Sequence, residues 1–176
     1  GLSVEEHVTG RRTAAFEQLR EEIGNDVLKN GWNAEIGAFT LSYGDDAIDA
    51  AGLSVGLTGL LAPDDPRLVS TVEHVGETLR QGAGIYRYRT DDGLPGNEGT
   101  FLLCTSWYIE SLALIGRVAE ARALFEEYAA LAGPTGLLAE EHDYQANVAL
   151  GNFPQAYSHL GLINCAVALA AAGEKD

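Results

Sequence analysis

Apolar residues recur along this chain with a helical period, and the segments they define alternate between two kinds. Segments from about Arg12 to Lys29, Asp64 to Gln81 and Val118 to Leu131 are amphipathic. Phe16, Leu19, Ile23 and Val27 line one face of the first, and Val69, Val72, Val75 and Leu79 one face of the second. Segments from about Ala47 to Leu61, Thr100 to Ile115 and Pro154 to Ala171 are apolar nearly all round. A helix with one apolar stripe shows its other face to water, whereas a helix apolar all round is covered on every side. Three alternations of the two kinds therefore predict outer and inner helical layers, built from a repeated hairpin of about 50 residues. Period-2 strands are almost absent, so the expected fold class is all-α. Gly52, Gly56 and Gly59 in the first apolar segment predict close backbone packing, since a phosphate loop would need a preceding strand.

Connections from apolar to amphipathic segments are short, at 62–65 and 116–117, but those in the other direction run over 31–46, 82–99 and 132–153. All three long loops are expected on one rim, and loops beyond about 12 to 15 residues in a compact domain are usually functional. They hold Trp32 and Tyr43, then Tyr86-Arg87-Tyr88-Arg89 with Asp91 and Asp92, then Glu140-Glu141-His142-Asp143-Tyr144. Rings, arginines and carboxylates converging on a concave rim suit a sugar, whose C–H faces stack on rings while its hydroxyls take polar hydrogen bonds.

The formal charge of −15 repels phosphates, which argues against nucleic acid and anionic membrane as partners. Ser158, His159, Asn164 and Asp49 interrupt the most apolar runs, so no membrane span is expected. Cys104 and Cys165 lie in apolar stretches and read as buried free thiols, which favours a reducing cytoplasm. The first residues lack a basic region followed by an apolar one, so no signal peptide is expected. A chain that opens on Gly1 and has no methionine is expected to be processed or cut from something larger.

Three stretches resemble the C-terminal region of the glucoamylase/trehalase family of inverting glycoside hydrolases, glycoside hydrolase family 15. They are Tyr86-Arg-Tyr-Arg-Thr-Asp-Asp-Gly-Leu-Pro-Gly-Asn-Glu-Gly-Thr-Phe-Leu-Leu-Cys-Thr-Ser-Trp107, Leu138-Ala-Glu-Glu-His-Asp143 and Gly151-Asn-Phe-Pro-Gln-Ala-Tyr-Ser-His-Leu160. Phe39 to Leu53 resembles the same family upstream, and its bacterial trehalase-like branch looks nearest. The resemblance implies an (α/α)6 barrel, of which residues 1–176 would be the C-terminal half, three outer/inner hairpins, with the N-terminal half missing. It implies hydrolysis of α-glucosidic bonds in trehalose or malto-oligosaccharides with inversion and no cofactor. It places the general base on Glu140 and substrate-binding groups on Arg87, Tyr88, Asp91, Glu141 and Tyr157. The family's general acid is a Glu directly after a Trp, but Trp32 and Trp107 are followed here by Asn33 and Tyr108. This fragment alone is thus expected to be inactive, and to self-associate or contact the missing half. The alternative is a non-catalytic helical-hairpin binding module.

Read from the residues alone, Glu140-Glu141 could equally be a solvated loop pair, and Glu98 a helix N-terminal charge rather than a catalytic one. Arg87 and Arg89 could be surface ion-pair partners. Glu140, His142 and Asp143 lack supporting ligands elsewhere, so no metal site is expected. Ser158-His159 has no nucleophile elbow around it and reads as a polar pair on a helix.

Overall fold

The computed structural model describes residues 2–90, 93 and 98–173. Outer helices α2 (Ala14–Asn30), α4 (Pro66–Leu79) and α6 (Val118–Ala130) alternate with inner elements α3 (Ser54–Leu57), α5 (Leu102–Leu114) and α7 (Ala156–Gly173), and a short α1 (Leu2–Thr9) precedes them. The result is three outer/inner pairs of a helical half-barrel, as the alternation predicts. The start of α4 follows from its sequence. Asp65 accepts a hydrogen bond from the Arg67 N–H, and Pro66 occupies the first turn, where a missing donor costs nothing. Between α5 and α6 the chain reverses at Gly116, whose φ of +86° suits glycine.

The first inner segment is shorter than its apolar run over 47–61. It consists of one tight turn, Ala50–Leu53, followed by the single turn of α3. Residues 47–50 are committed elsewhere: the Ala47 carbonyl accepts from Leu41 N–H at 2.8 Å, and Ala50 N–H donates to the Arg87 carbonyl at 2.9 Å. Asp49 then caps Ala51 N–H and fixes the start of the turn. Gly52 and Gly56 serve packing as expected, but Gly59 does not: a Cβ there would meet nothing within 4 Å, and its φ of +71° marks a turn instead. A Cβ on Gly56 would lie 2.7 Å from both Leu68 methyls, and one on Gly52 3.0 Å from the Phe39 carbonyl.

Helix α5 is the hub, packed against α7, α6, α4 and α3. Leu102, Tyr108, Ile109 and Leu112 of α5 are buried with Leu68, Val72, Val75 and Leu79 of α4 and Leu124 and Tyr128 of α6. Helix α7 comes so close that a Cβ on Gly161 would meet Ser106 Cβ at 2.6 Å. Tyr128 Oη donates to the Ser158 carbonyl at 2.6 Å, and Cys165 Sγ to the Ser106 carbonyl at 3.4 Å.

Two helices carry the uncovered apolar faces expected of a half-barrel that lacks its other half. Inner helix α7 buries only Ser158, Gly161, Cys165 and Leu169, while Tyr157, Leu160, Ile163 and Val167 are exposed. Outer helix α2 likewise leaves Phe16, Leu19 and Ile23 about half exposed. These are the two ends of the half-barrel, where no neighbouring pair follows. By length and composition α7 is also apolar enough to cross a membrane, so Ser158, His159 and Asn164 do not interrupt it as the sequence reading supposes.

Short antiparallel ribbons stiffen the long loops: β1 (Trp32–Asn33) with β2 (Ala38–Phe39), and β3 (Arg80–Gln81) with β4 (Gly84–Ile85). The third sheet joins two loops, with β6 (Glu141–Asp143) between β5 (Thr100–Phe101) and β7 (Val148–Leu150). Its register pairs Phe101 with Glu141 and Glu141 with Leu150. Strands of two or three residues are too short to display an alternating pattern.

Adding a methyl group at the α5–α7 contact forces the helices apart, so Gly161→Ala should lower the unfolding free energy by about 1–3 kcal/mol, read from urea midpoints. Glu110 of α5 gives a second test. Burial pushes its carboxyl pKa from 4.5 up to about 7. As pH rises between those values the unfolded chain releases this proton before the folded one, so stability is fully present below about 4.5 and falls towards about 7. Glu110→Gln should flatten that decline and raise the urea midpoint at alkaline pH.

Candidate active site

The rim is assembled by hydrogen bonds between successive long loops. Asp49, almost fully buried, accepts from Ala51 N–H at 2.6 Å and from Arg87 Nε at 2.8 and 3.1 Å. Together with the Ala50–Arg87 backbone bond, this ties the first loop to the second at two points. Burial works against the Arg87 charge, but the hydrogen bond and charge of Asp49 outweigh it and hold the guanidinium pKa above its ordinary value. Arg89 is engaged differently, its guanidinium 4.4 Å from the Tyr86 ring centroid. The Tyr86 hydroxyl in turn donates to Gln81 Oε1 at 2.7 Å. Tyr88, half-buried, lies between the two arginines in sequence and bears electrostatically on Arg87. Asp91 lies outside the described residues.

The third loop brings the carboxylates to the N-terminal end of α5. The Glu140 carbonyl accepts from Leu102 N–H at 3.0 Å, so the backbone of Glu140 satisfies the first donor of α5. Glu140 Oε2 accepts from both the backbone N–H and the side-chain Nδ2 of Asn152, each at 2.9 Å. Glu141 Oε2 accepts from Gly99 N–H at 3.0 Å. Burial raises the Glu141 pKa; the Gly99 bond opposes this, and the charges of Glu98 and Glu140 add to it. Behind them the Cys104 thiol is pushed up to about 12 by burial, within electrostatic reach of Arg87, Asp49 and Glu141.

Strand alternation separates the remaining candidates. His142 points away from Glu141, is buried, and meets Tyr144 edge-on with centroids 4.7 Å apart. Asp143 caps the backbone N–H groups of Gln145 and Ala146 at 2.8 and 3.1 Å. Glu140, His142 and Asp143 therefore diverge, and among the described residues no three His, Cys, Asp or Glu side chains are grouped as a metal site would require. Tyr157, at the start of α7, is 58% exposed beside equally exposed Phe153.

Ser158-His159 is structural. Ser158 Oγ donates to the Ala139 carbonyl at 2.6 Å, while His159 Nε2 accepts from Leu138 N–H at 3.3 Å. Both hold the residues immediately before Glu140. Asp49, Gly151 and Asn152 are the site-organising residues that sequence reasoning misses. Each falls inside a stretch matched to the family, but partners 12 or 38 residues apart leave no periodic trace.

A family model described as Glycosyl hydrolases family 15 matches residues 6–167. The chain belongs to that family. Trehalase of Mycobacterium tuberculosis is 44% identical over 160 residues, which are 89% of this chain and 23% of that protein. Trehalase of Thermoplasma acidophilum is 40% identical over 149 residues, 84% of this chain and 26% of that one. The chain thus spans about a quarter of the length of these family 15 relatives. A wild-type glycosidase of known structure superposes with a TM-score of 0.76 at 25% identity, over 89% of this chain and 44% of that one. A single-residue variant glycosidase in complex with glucose gives the same TM-score of 0.76 at 24% identity. These neighbours have the (α/α)6-type fold, which accords with a half-barrel here.

Removing the Asp49 carboxylate would leave the Ala51 donor and the Arg87 guanidinium unpaired. Asp49→Ala should therefore cost about 2–3 kcal/mol of stability, with Asp49→Asn costing less because the amide can still accept; urea denaturation of both variants reads the difference.

Proposed function

We propose that this chain supplies the general-base half of an inverting α-glucosidase site whose substrate is trehalose. The observation that carries the reading is the placement of Glu140. It lies at the mouth of inner helix α5, next to Glu141, with one carboxylate oxygen fixed by Asn152. The family supports glycosidic hydrolysis, and the trehalase names of the relatives favour trehalose over malto-oligosaccharides.

In the proposed reaction Glu140 takes a proton from water as the water oxygen bonds to the anomeric carbon. The glycosidic C–O bond breaks on the opposite face, and its oxygen takes a proton from a carboxylic acid about 6.5 to 9.5 Å from Glu140. No Trp-Glu pair occurs in these 176 residues, so that acid comes from a segment beyond them. Arg87, locked by Asp49, presents its remaining donors to sugar hydroxyls, Tyr88 and Tyr157 offer ring faces, and Glu141 accepts from hydroxyls. Asp91 is assigned to the same binding set on the resemblance alone.

The half of the barrel that carries the acid would also cover the exposed apolar faces of α7 and α2, which fits contact between halves or, failing that, self-association. The free thiols Cys104 and Cys165 suit the cytoplasm.

In the full-length protein, Glu140→Gln should lower kcat on trehalose by roughly 10² to 10⁴-fold with KM within a few-fold, and Glu141→Gln should cost much less. The 176-residue chain alone should release no glucose. Near wild-type kcat in Glu140→Gln would overturn the assignment of the base. Trehalose turnover by the isolated chain would overturn the half-site, and failure of the full-length protein to hydrolyse any glucoside would favour a binding module.

A further inference from the structure

Glu140 and Glu141 are neighbours in sequence but are held in opposite ways, and the difference gives Asn152 a role of its own. Glu141 has one oxygen on a single backbone donor, Gly99 N–H. Glu140 is tied to one residue three times: its own N–H donates to the Asn152 carbonyl at 2.9 Å, and both Asn152 donors converge on Oε2, each at 2.9 Å. Among the described residues nothing donates to Glu140 Oε1.

Backbone geometry makes this grip possible. The β6–β7 ladder pairs Glu141 with Leu150, and one step further the partner strand turns at Gly151, whose φ is +71°. That conformation suits glycine, and a side chain there would also collide with the carboxylate: a Cβ on Gly151 would lie 2.7 Å from Glu140 Oε2 and 2.8 Å from Glu140 Cβ. Gly151 is thus the flat seat on which the Glu140 side chain rests, and its turn swings Asn152 round to face the carboxylate. Behind the seat, Gln155 N–H donates to the Leu138 carbonyl at 2.9 Å and Ser158 Oγ to the Ala139 carbonyl at 2.6 Å. The chain on both sides of the contact is therefore fixed to the first turn of α7.

We propose that Asn152 is the positioning residue of the general base, clamping Oε2 of Glu140 so that Oε1 alone is presented to the attacking water. The proposal rests on Glu140 being the base. A base has to be held to about half an ångström and 10–20° for its proton transfer to be efficient, and two donors on one oxygen fix both the place and the rotation of the carboxylate plane. Asparagine meets the requirement where aspartate would not, because a second carboxylate at this distance would repel the first.

The test uses the full-length protein on trehalose, with four variants and the pH profile of kcat. Asn152→Ala should lower kcat by about 10- to 100-fold, the size of one lost hydrogen bond to a charged group, with KM within about threefold. Asn152→Asp, nearly the same shape, should be worse than Asn152→Ala, and the acidic limb of its profile should move because a second carboxylate now titrates beside the first. In a Glu140→Gln background the clamp has no carboxylate to hold, so adding Asn152→Ala should cost less than threefold more.

A merely structural role predicts the reverse order, with the near-isosteric Asn152→Asp better tolerated than Asn152→Ala, an unmoved acidic limb, and losses that multiply in the double variant. Any of those three results overturns the proposal. Should Asn152→Ala fail to fold, Asn152→Asp and its pH profile decide alone. A damaging Glu140→Gln with a neutral Asn152→Ala would remove the positioning role and leave the base assignment standing. A neutral Glu140→Gln would remove both.

Discussion

The close contact between α5 and α7 is the constraint on which the rest of the molecule depends. Gly161 lets α7 approach α5 at Ser106, the Cys165 hydrogen bond to the Ser106 carbonyl fixes the two helices at that separation, and Tyr128 of α6 ties α7 in turn through the Ser158 carbonyl. Everything on the rim is referenced to the upper end of α5. Thr105 accepts from Ile85 N–H at 3.0 Å and so sets the second loop, while Leu102 N–H takes the carbonyl of Glu140 and sets the third. A shift of α7 would carry Ser158 and His159 with it, and these hold the two residues before Glu140. Helix packing and carboxylate placement are in this sense one interaction seen at two depths.

Five of the six outer and inner helices are legible in the amino-acid sequence to within about two residues, because a long run with a 3.6 period leaves few alternatives, whereas the short α1 is not expected from it. The first inner segment is less so. Its apolar character at 47–61 is real, but Ala47 and Ala50 spend their backbone groups on Leu41 and Arg87, partners that local periodicity cannot reveal. Helix α7 shows a different limit. Apolar residues all round its surface specify complete burial, and the chain itself supplies cover for only one side.

At the site, sequence reasoning reached residue types and their convergence, and the resemblance reached roles. Glu140 and Glu141 do flank the start of α5, and Arg87 is tied to Asp49 in the neighbouring segment. What escaped were the supporting residues. Asp49 looks like an interruption in an apolar run, yet it is the buried acceptor for two loops. Asn152 looks like a turn residue after Gly151, yet it grips a carboxylate twelve positions earlier. Such partners are chosen by the three-dimensional closure of the rim, which no one-dimensional period encodes.

The double duty of Asp49 has an evolutionary consequence. An ordinary surface ion pair can drift by exchanging its charges, each substitution being compensated by the other. Here that route is closed, because an arginine at position 49 has only donors to offer and would leave the Ala51 N–H without the acceptor that starts the turn. Descent should therefore carry positions 49 and 87 as a fixed couple, changing neither, while the sequence around them diverges. The loops they join can then vary in length and chemistry without the rim coming apart.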